Sequence, residues 1–263
     1  MNAVDGAVRI AADVGGTFTD VVLERTNGTY ASTKVLTTYD APERGILDGV
    51  AQLISEEGVD ASSIVQFVHG TTLATNALIQ RRGAKTALIT TEGFRDVIET
   101  RTESRFEQYD LDIVLPTPLI ARKDRFTLTE RRNARGEELI PLDEDALQIL
   151  VAQIGAAGYE SIAVGFIHSY VNPTNERRVR EVIRRELPEV SVSISSEVSP
   201  QMREYERFNT VCANAYVQPQ MESYLVRLRD QLQDRGITCP LYLVHSGGGL
   251  MSVESAAEFP VRL

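Results

Sequence analysis

The sequence predicts an α/β protein built on a mixed sheet with flanking helices. Three short β-rich runs open the chain, the last two separated by the Asn27-Gly28 turn. Strand and helix signals then alternate from Ala41 to Ile194, which indicates substantial parallel pairing. A long helical stretch from Ser199 to Arg235 ends that alternation and marks a change of organisation.

The first run, Val8–Val14, ends in Gly15-Gly16, the second is Phe18–Leu23, and the third is Tyr30–Leu36. Ala41–Glu57 carries Ile46, Leu47, Val50, Leu53 and Ile54 at helical spacing, with Pro42 in its first turn. Ile64–Val68 reads as a buried strand, Thr72–Arg82 as a helix and Lys85–Thr90 as a strand. Glu99–Pro118 breaks the rhythm, with Arg101, Arg105, Glu107, Tyr109 and Asp110 before Pro116 and Pro118, and reads as a long loop. Phe126–Arg131 follows as a strand, and then Asp143–Gly158 (helix), Ser161–Ile167 (strand), Asn175–Leu187 (helix) and Val190–Ile194 (strand). Within Ser199–Arg235, Pro219 marks a break or a new first turn. Tyr224, Leu225, Leu228 and Leu232 form a core stripe, and Leu241–Val244 is a strand entering Ser246-Gly247-Gly248-Gly249. The expected domains are 1–198 and 199–263, the second read as the beginning of a longer domain.

Composition narrows the function classes. With 43% hydrophobic residues, 263 residues suffice for a sizeable core. A formal net charge of −10 argues against a nucleic-acid binder, which would present a basic face. Cys212 and Cys239 provide neither a disulfide framework nor metal-type spacing and read as small hydrophobes. The opening residues lack the features of a signal peptide, and no window reaches the roughly 18 apolar residues of a membrane span. The expectation is a cytoplasmic protein with no membrane partner.

The strongest chemical signal is Asp13-Val14-Gly15-Gly16-Thr17-Phe18-Thr19-Asp20. A strand delivers Asp13 to its end, and Gly15 and Gly16 permit a tight turn with exposed amides. Those amides, with the hydroxyls of Thr17 and Thr19, suit phosphate oxygens. Asp13 would repel a phosphate directly, so its role is to hold hydrated Mg²⁺. Asp20 would orient the loop or serve the metal's outer shell. A Gly-Gly-Thr by itself is a hairpin turn; the full octapeptide between two β runs favours phosphate binding. No Gly-Lys-Ser/Thr follows, so this is not a Walker A loop, and it opens a strand rather than the helix of a dinucleotide fingerprint.

His69-Gly70-Thr71-Thr72 stands at a strand end before a helix. Thr71 or Thr72 suits the N-cap, and polar groups at a strand's carboxyl end also face ligand crevices in open α/β sheets. His69 reads either as a group facing such a crevice or as a satisfied structural histidine, with Asn76 one turn further on. His168 and His245 are isolated and receive no role. Arg101 and Arg105 read as residues of a solvated loop.

These segments together resemble the hydantoinase A/5-oxoprolinase family. The resemblance rests on Val14–Asp20, on Val68-His69-Gly70-Thr71-Thr72-Leu73-Ala74-Thr75-Asn76-Ala77 and on Thr90-Thr91-Glu92-Gly93-Phe94-Arg95-Asp96. It continues through Arg203-Glu204-Tyr205-Glu206-Arg207 to Ser246-Gly247-Gly248-Gly249-Leu250-Met251. It implies a ribonuclease H-like, actin-type ATPase fold, with ATP and Mg²⁺ as cofactors and a cyclic amide as substrate. Asp13 and His69 would be catalytic, with Asp13 also serving the metal. Gly15, Gly16, Thr17, Thr19, Asp20, Thr71 and Thr72 would contact the nucleotide. The family further implies a hydantoinase B-type partner and an oligomer. Within the same resemblance stand an ATP-using subunit of a ketone carboxylase and a non-catalytic nucleotide-binding subunit. The superfamily's second phosphate loop is not found in these 263 residues, so the chain by itself is expected to be inactive.

Overall fold

A computed structural model describes residues 6–38, 40–102 and 109–263. The chain opens with β1 (Val8–Val14), β2 (Phe18–Arg25) and β3 (Tyr30–Leu36), then α1 (Pro42–Glu57), β4 (Ile64–Thr71) and α2 (Leu73–Ile79). Next come β5 (Thr86–Thr91), α3 (Val97–Thr100), β6 (Arg125–Leu128), and the short pair β7 (Arg131–Arg132) and β8 (Glu138–Ile140). They are followed by α4 (Glu144–Ala156), β9 (Ser161–Gly165), α5 (Thr174–Glu186), β10 (Ser191–Ile194) and α6 (Ser195–Val198). The last stretch is α7 (Glu204–Asp234), β11 (Leu241–Val244), β12 (Leu250–Ser252) and α8 (Val253–Glu258). The mixed α/β class expected from the sequence is the fold observed.

Two compact units form, one from 1–82 with 220–263 and the other from Gly83–Pro219. These bounds differ from a division after residue 198. The reason lies in strand pairing: β11 joins β4 in parallel, which returns the end of the chain to the first sheet.

In the first unit the strands run in the order β12-β11-β4-β1-β2-β3. β1, β2 and β3 are antiparallel neighbours, whereas β4 lies parallel to β1. Gly28 supplies the positive φ of 83° that the β2–β3 turn requires. Along β1 burial alternates strictly, with Val8, Ile10, Ala12 and Val14 inward and Arg9, Ala11 and Asp13 exposed. α1 lies close on the inward face because Gly49 has no side chain: a Cβ there would come within 2.7 Å of Val21. Leu225, Leu228 and Leu232 of α7 are buried in this unit, and Arg227 ties α7 to Glu43 of α1 at 2.8 Å.

The second unit holds the parallel sheet β10-β9-β5-β6. All residues of β5 and β9 are buried, as expected for strands covered on both faces. Leu147, Val151 and Ile154 of α4 and Val179, Val182 and Ile183 of α5 belong to its core. Gly165 at the end of β9 makes room for Phe208, where a Cβ would stand 2.6 Å from the ring.

The helix expected over 199–235 starts at Glu204 and continues through Pro219 without a break. A proline removes one hydrogen bond and crowds the preceding turn. Here Ala215 and Val217 before it and Met221, Tyr224 and Leu225 after it are all buried. The helix expected over 72–82 is shorter, ending at Ile79.

Candidate functional site

In the first unit the carboxyl ends of β1 and β4 lie side by side, with Asp13 opposite Gly70 on one flank and Asp20 of β2 on the other. Asp13 is exposed at this edge. Gly70 makes its position possible, because a Cβ at residue 70 would sit 2.9 Å from the Asp13 carboxylate oxygen Oδ1. The sequence reading quoted Gly70 within a motif but gave it no role; only the β1–β4 register reveals one.

The turn from Gly15 to Phe18 is closed by the Gly15 amide donating to the Phe18 carbonyl at 3.0 Å. Among the described residues, the Gly16 and Thr17 amides donate to no backbone acceptor. Gly16 has an ordinary φ, and a Cβ there would meet nothing within 4 Å. Neither backbone strain nor crowding within the chain therefore demands glycine at this point. Open space beside two available amides and an exposed carboxylate fits a hydrated divalent cation with phosphate oxygens. Among the described residues no group of three His, Cys, Asp or Glu could hold a metal.

The two threonines of the loop part company. Thr17 is exposed, whereas Thr19 is wholly buried. The Thr19 hydroxyl lies 3.0 Å from that of Thr37, which in turn donates to the Gly15 carbonyl at 3.1 Å. A hydroxyl has one proton, so Thr19 donates to Thr37. The Thr37 amide also donates to the Thr17 carbonyl at 2.9 Å. In this structure Thr19 is thus a brace beneath the loop rather than an open donor. Thr37, unnoticed in the sequence, is the second half of that brace. Asp20 pairs with Lys34 across the β2–β3 hairpin at 3.0 Å.

His69 points into the core and is fully buried. Its Nδ1 lies 2.9 Å from the Ala12 carbonyl and its Nε2 lies 2.7 Å from the Tyr224 hydroxyl. A carbonyl only accepts, so Nδ1 carries the proton and Tyr224 donates to Nε2. Burial lowers the histidine pKa to about 4 against the raising effects of Ala12 and Asp13, which leaves the ring neutral. Both ring nitrogens are engaged inside the unit, so this geometry leaves His69 no open atom for a substrate carbonyl. Its position joins β1, β4 and α7 directly behind Asp13.

Thr71 and Thr72 divide the cap between them. Thr72 occupies the N-cap position of α2, but the hydroxyl that receives the Leu73 amide, at 3.2 Å, belongs to Thr71. The Thr72 amide and hydroxyl both reach the Val14 carbonyl at 3.4 Å, tying α2 to the end of β1. Asn76 donates to the Thr72 hydroxyl at 3.2 Å. Ser246–Gly249 is the turn between antiparallel β11 and β12, closed by His245 donating to the Gly249 carbonyl at 3.0 Å.

In the second unit the Arg101 side chain donates to the Pro116 carbonyl, and Tyr109 is exposed. Arg105 and Glu107 lie outside the described residues. Cys212 is buried, and burial pushes its thiol up to about 12, unsuited to nucleophilic chemistry. Among the described residues no helix is long and apolar enough to cross a membrane.

The model of the hydantoinase/oxoprolinase N-terminal region matches residues 9–187, and the hydantoinase/oxoprolinase model matches 207–263. An uncharacterised protein of Methanocaldococcus jannaschii is 37% identical over 256 residues, covering 96% of this chain and 37% of that protein. The caprolactamase α subunit of Pseudomonas jessenii is 33% identical over 248 residues, covering 92% of this chain and 36% of the relative. The crystal structure of the ATP-dependent caprolactamase superposes with a TM-score of 0.86 at 30% identity, over 97% of this chain and 38% of that one. A nucleotide-free acetone carboxylase structure gives 0.85 at 25% identity, with the same coverage. The chain therefore spans little more than a third of the length of these relatives.

Proposed function

The chain belongs to the hydantoinase/oxoprolinase family, and on that footing we propose that it carries the first phosphate loop of an ATP-dependent cyclic amidohydrolase. The substrate class is a five-membered lactam or hydantoin of the 5-oxoproline, hydantoin or N-methylhydantoin type. One observation carries the reading: the exposed Asp13 carboxylate, given room by Gly70, stands beside the open Gly16-Thr17 turn.

Each residue then has a definite task. Asp13 holds hydrated Mg²⁺, while the Gly16 and Thr17 amides and the Thr17 hydroxyl donate to phosphate oxygens. Thr19 and Thr37 keep the loop carbonyls turned away from the anion, and His69 fixes the strand end behind Asp13. Thr71 and Thr72 set the adjoining helix start, and Asp20 steadies the hairpin through Lys34. Mg²⁺-ATP supplies the phosphoryl group that activates the amide oxygen. In net terms two waters are consumed: one adds across the ring C–N bond and the other ends in the phosphate released as ATP becomes ADP. The protein's share of phosphoryl transfer is positioning and charge neutralisation.

The likeness to acetone carboxylase supports a second reading, an ATP-using carboxylase subunit that activates a ketone. Relatives named as subunits also support a partner, which we take to be of the hydantoinase B type in a cytoplasmic oligomer. The test is ATP hydrolysis by a protein carrying this region at its relatives' length. It would be assayed with 5-oxoproline, hydantoin, N-methylhydantoin, and acetone plus bicarbonate. Stimulation by the cyclic amides supports the proposal, and stimulation by acetone plus bicarbonate alone replaces it with the second reading.

A further inference from the structure

We propose that the Gly83–Pro219 unit holds a small-molecule site of its own at the carboxyl end of its parallel sheet. His168 is its binding group and a cyclic amide its ligand. The ligand class rests on the amidohydrolase reading above; the site rests on the geometry of this unit.

Topology selects the place. The strand order is β10-β9-β5-β6, so the chain leaves β5 toward one side of the sheet and β9 toward the other. Open α/β sheets bind ligands outside the carboxyl ends of strands where the winding reverses in this way. Here that point is where the carboxyl ends of the paired strands β5 and β9 meet the segment that follows Gly165.

His168 lies three residues beyond Gly165 and is held in an unfavourable conformation. Its φ is +55°, a left-handed value that a non-glycine residue adopts at a cost. Its Nδ1 is buried and, among the described residues, meets no hydrogen-bond partner. The three histidines differ in this respect. His69 has both nitrogens engaged, and Nδ1 of His245 receives the Gly247 amide at 2.8 Å. An imidazole nitrogen buried without a partner loses the hydrogen bond it would make to water.

The surroundings hold His168 firmly in that state. The Phe166 amide donates to Glu176 at 2.9 Å, and its carbonyl accepts from Arg207 at 2.8 Å. The Ile167 amide donates to the Thr91 hydroxyl at 3.1 Å, which joins this segment to the end of β5. Arg207 and Glu176 are both fully buried, and Glu176 also accepts from Ser195 and the Ser196 amide. Arg207 also donates to Ser195 and to the Gln201 carbonyl. Such a network fixes the backbone on both sides of Phe166 and keeps the strain at His168 from relaxing. At the same end of β5 the Thr90 hydroxyl is likewise buried without a partner.

A neutral imidazole nitrogen either donates or accepts according to tautomer. A cyclic amide presents an N–H beside a carbonyl and so satisfies either form. Arg207 cannot recruit an anionic ligand instead, because its donors are committed to Ser195, Gln201 and Phe166.

The experiment is a calorimetric titration of the protein with hydantoin and, separately, 5-oxoproline in the absence of nucleotide, with the His168 ring resonances followed in the wild type. Saturable shifts are expected in the wild type. His168→Gly should weaken binding about tenfold, the worth of one hydrogen bond. Its melting temperature should not fall, since glycine adopts this φ freely. His168→Asn, which also tolerates the left-handed region, provides a second variant should the glycine form prove unstable. Wild-type affinity within twofold in either folded variant, or no saturable shift in the wild type, overturns the proposal. Because nucleotide is absent, failure of ATP turnover would count against the amidohydrolase reading and not against this site.

Discussion

Replacing Gly70 by alanine separates the ligand role of the strand end from its role in the fold. The added Cβ would lie 2.9 Å from Oδ1 of Asp13, closer than such atoms approach. What must move is the end of an exposed, flexible side chain, so the carboxylate rotates and the sheet stays in place. Gly70 does not have a positive φ, so alanine incurs no backbone strain and gains about 0.4–1 kcal/mol from the unfolded state. The displacement should cost a similar amount, leaving net stability within about 1 kcal/mol of wild type. Magnesium demands near-ideal octahedral geometry, so a displaced Asp13 should weaken Mg²⁺-nucleotide binding by about 10- to 100-fold, equivalent to about 1.4–2.7 kcal/mol. The assay pairs thermal unfolding with a Mg²⁺ titration of nucleotide binding. Unchanged Mg²⁺ dependence at unchanged stability would refute the placement of the metal at Asp13.

Two further predictions concern the supports of the two units. The folded pKa of His69, about 4, lies below its ordinary value of 6.5, so the unfolded chain takes up the proton first. Its contribution is complete above pH 6.5 and is lost toward pH 4, by about 2 kcal/mol between pH 8 and pH 5. Denaturant unfolding of His69→Gln should show a correspondingly shallower pH dependence, and an unchanged slope would count against a buried neutral ring. Arg207→Ala should cost roughly 3–5 kcal/mol in urea unfolding, because a buried charged donor leaves the Phe166 and Gln201 carbonyls unpaired; a loss under about 1 kcal/mol would show the network to be dispensable.

Much of the fold could be read from local pattern. The first three strands and the Asn27-Gly28 turn are written in β-rich runs and turn chemistry, and β1 and β3 have the bounds expected from sequence. The division into units could not be read that way. It depends on β11 returning to β4, a pairing between residues far apart in the chain. Pro219 misled as well, since α7 runs through it. At the candidate site, residue types pointed to Asp13–Thr17, but accessibility required the register. Thr19 belongs to the inward set of β2 and His69 to that of β4, so both are buried although their motif suggests ligand contact. Gly70 and Thr37 acquire roles only across strands, from Asp13 and from the Gly15 and Thr17 carbonyls.

The central claim is that Asp13 and the Gly15–Thr17 turn bind a phosphate–magnesium group, and Asp13→Ala tests it most directly. Asp13 is exposed and Thr17 lies on the same open turn, so neither Asp13→Ala nor Thr17→Val should lower the melting temperature appreciably. In a protein carrying this region at its relatives' length, loss of the metal-holding carboxylate should cut substrate-stimulated ATP hydrolysis on the order of a thousandfold, with a smaller loss for Thr17→Val. Full turnover in a folded Asp13→Ala protein, or inactivity that merely tracks early melting, would contradict the claim and leave the loop a structural turn.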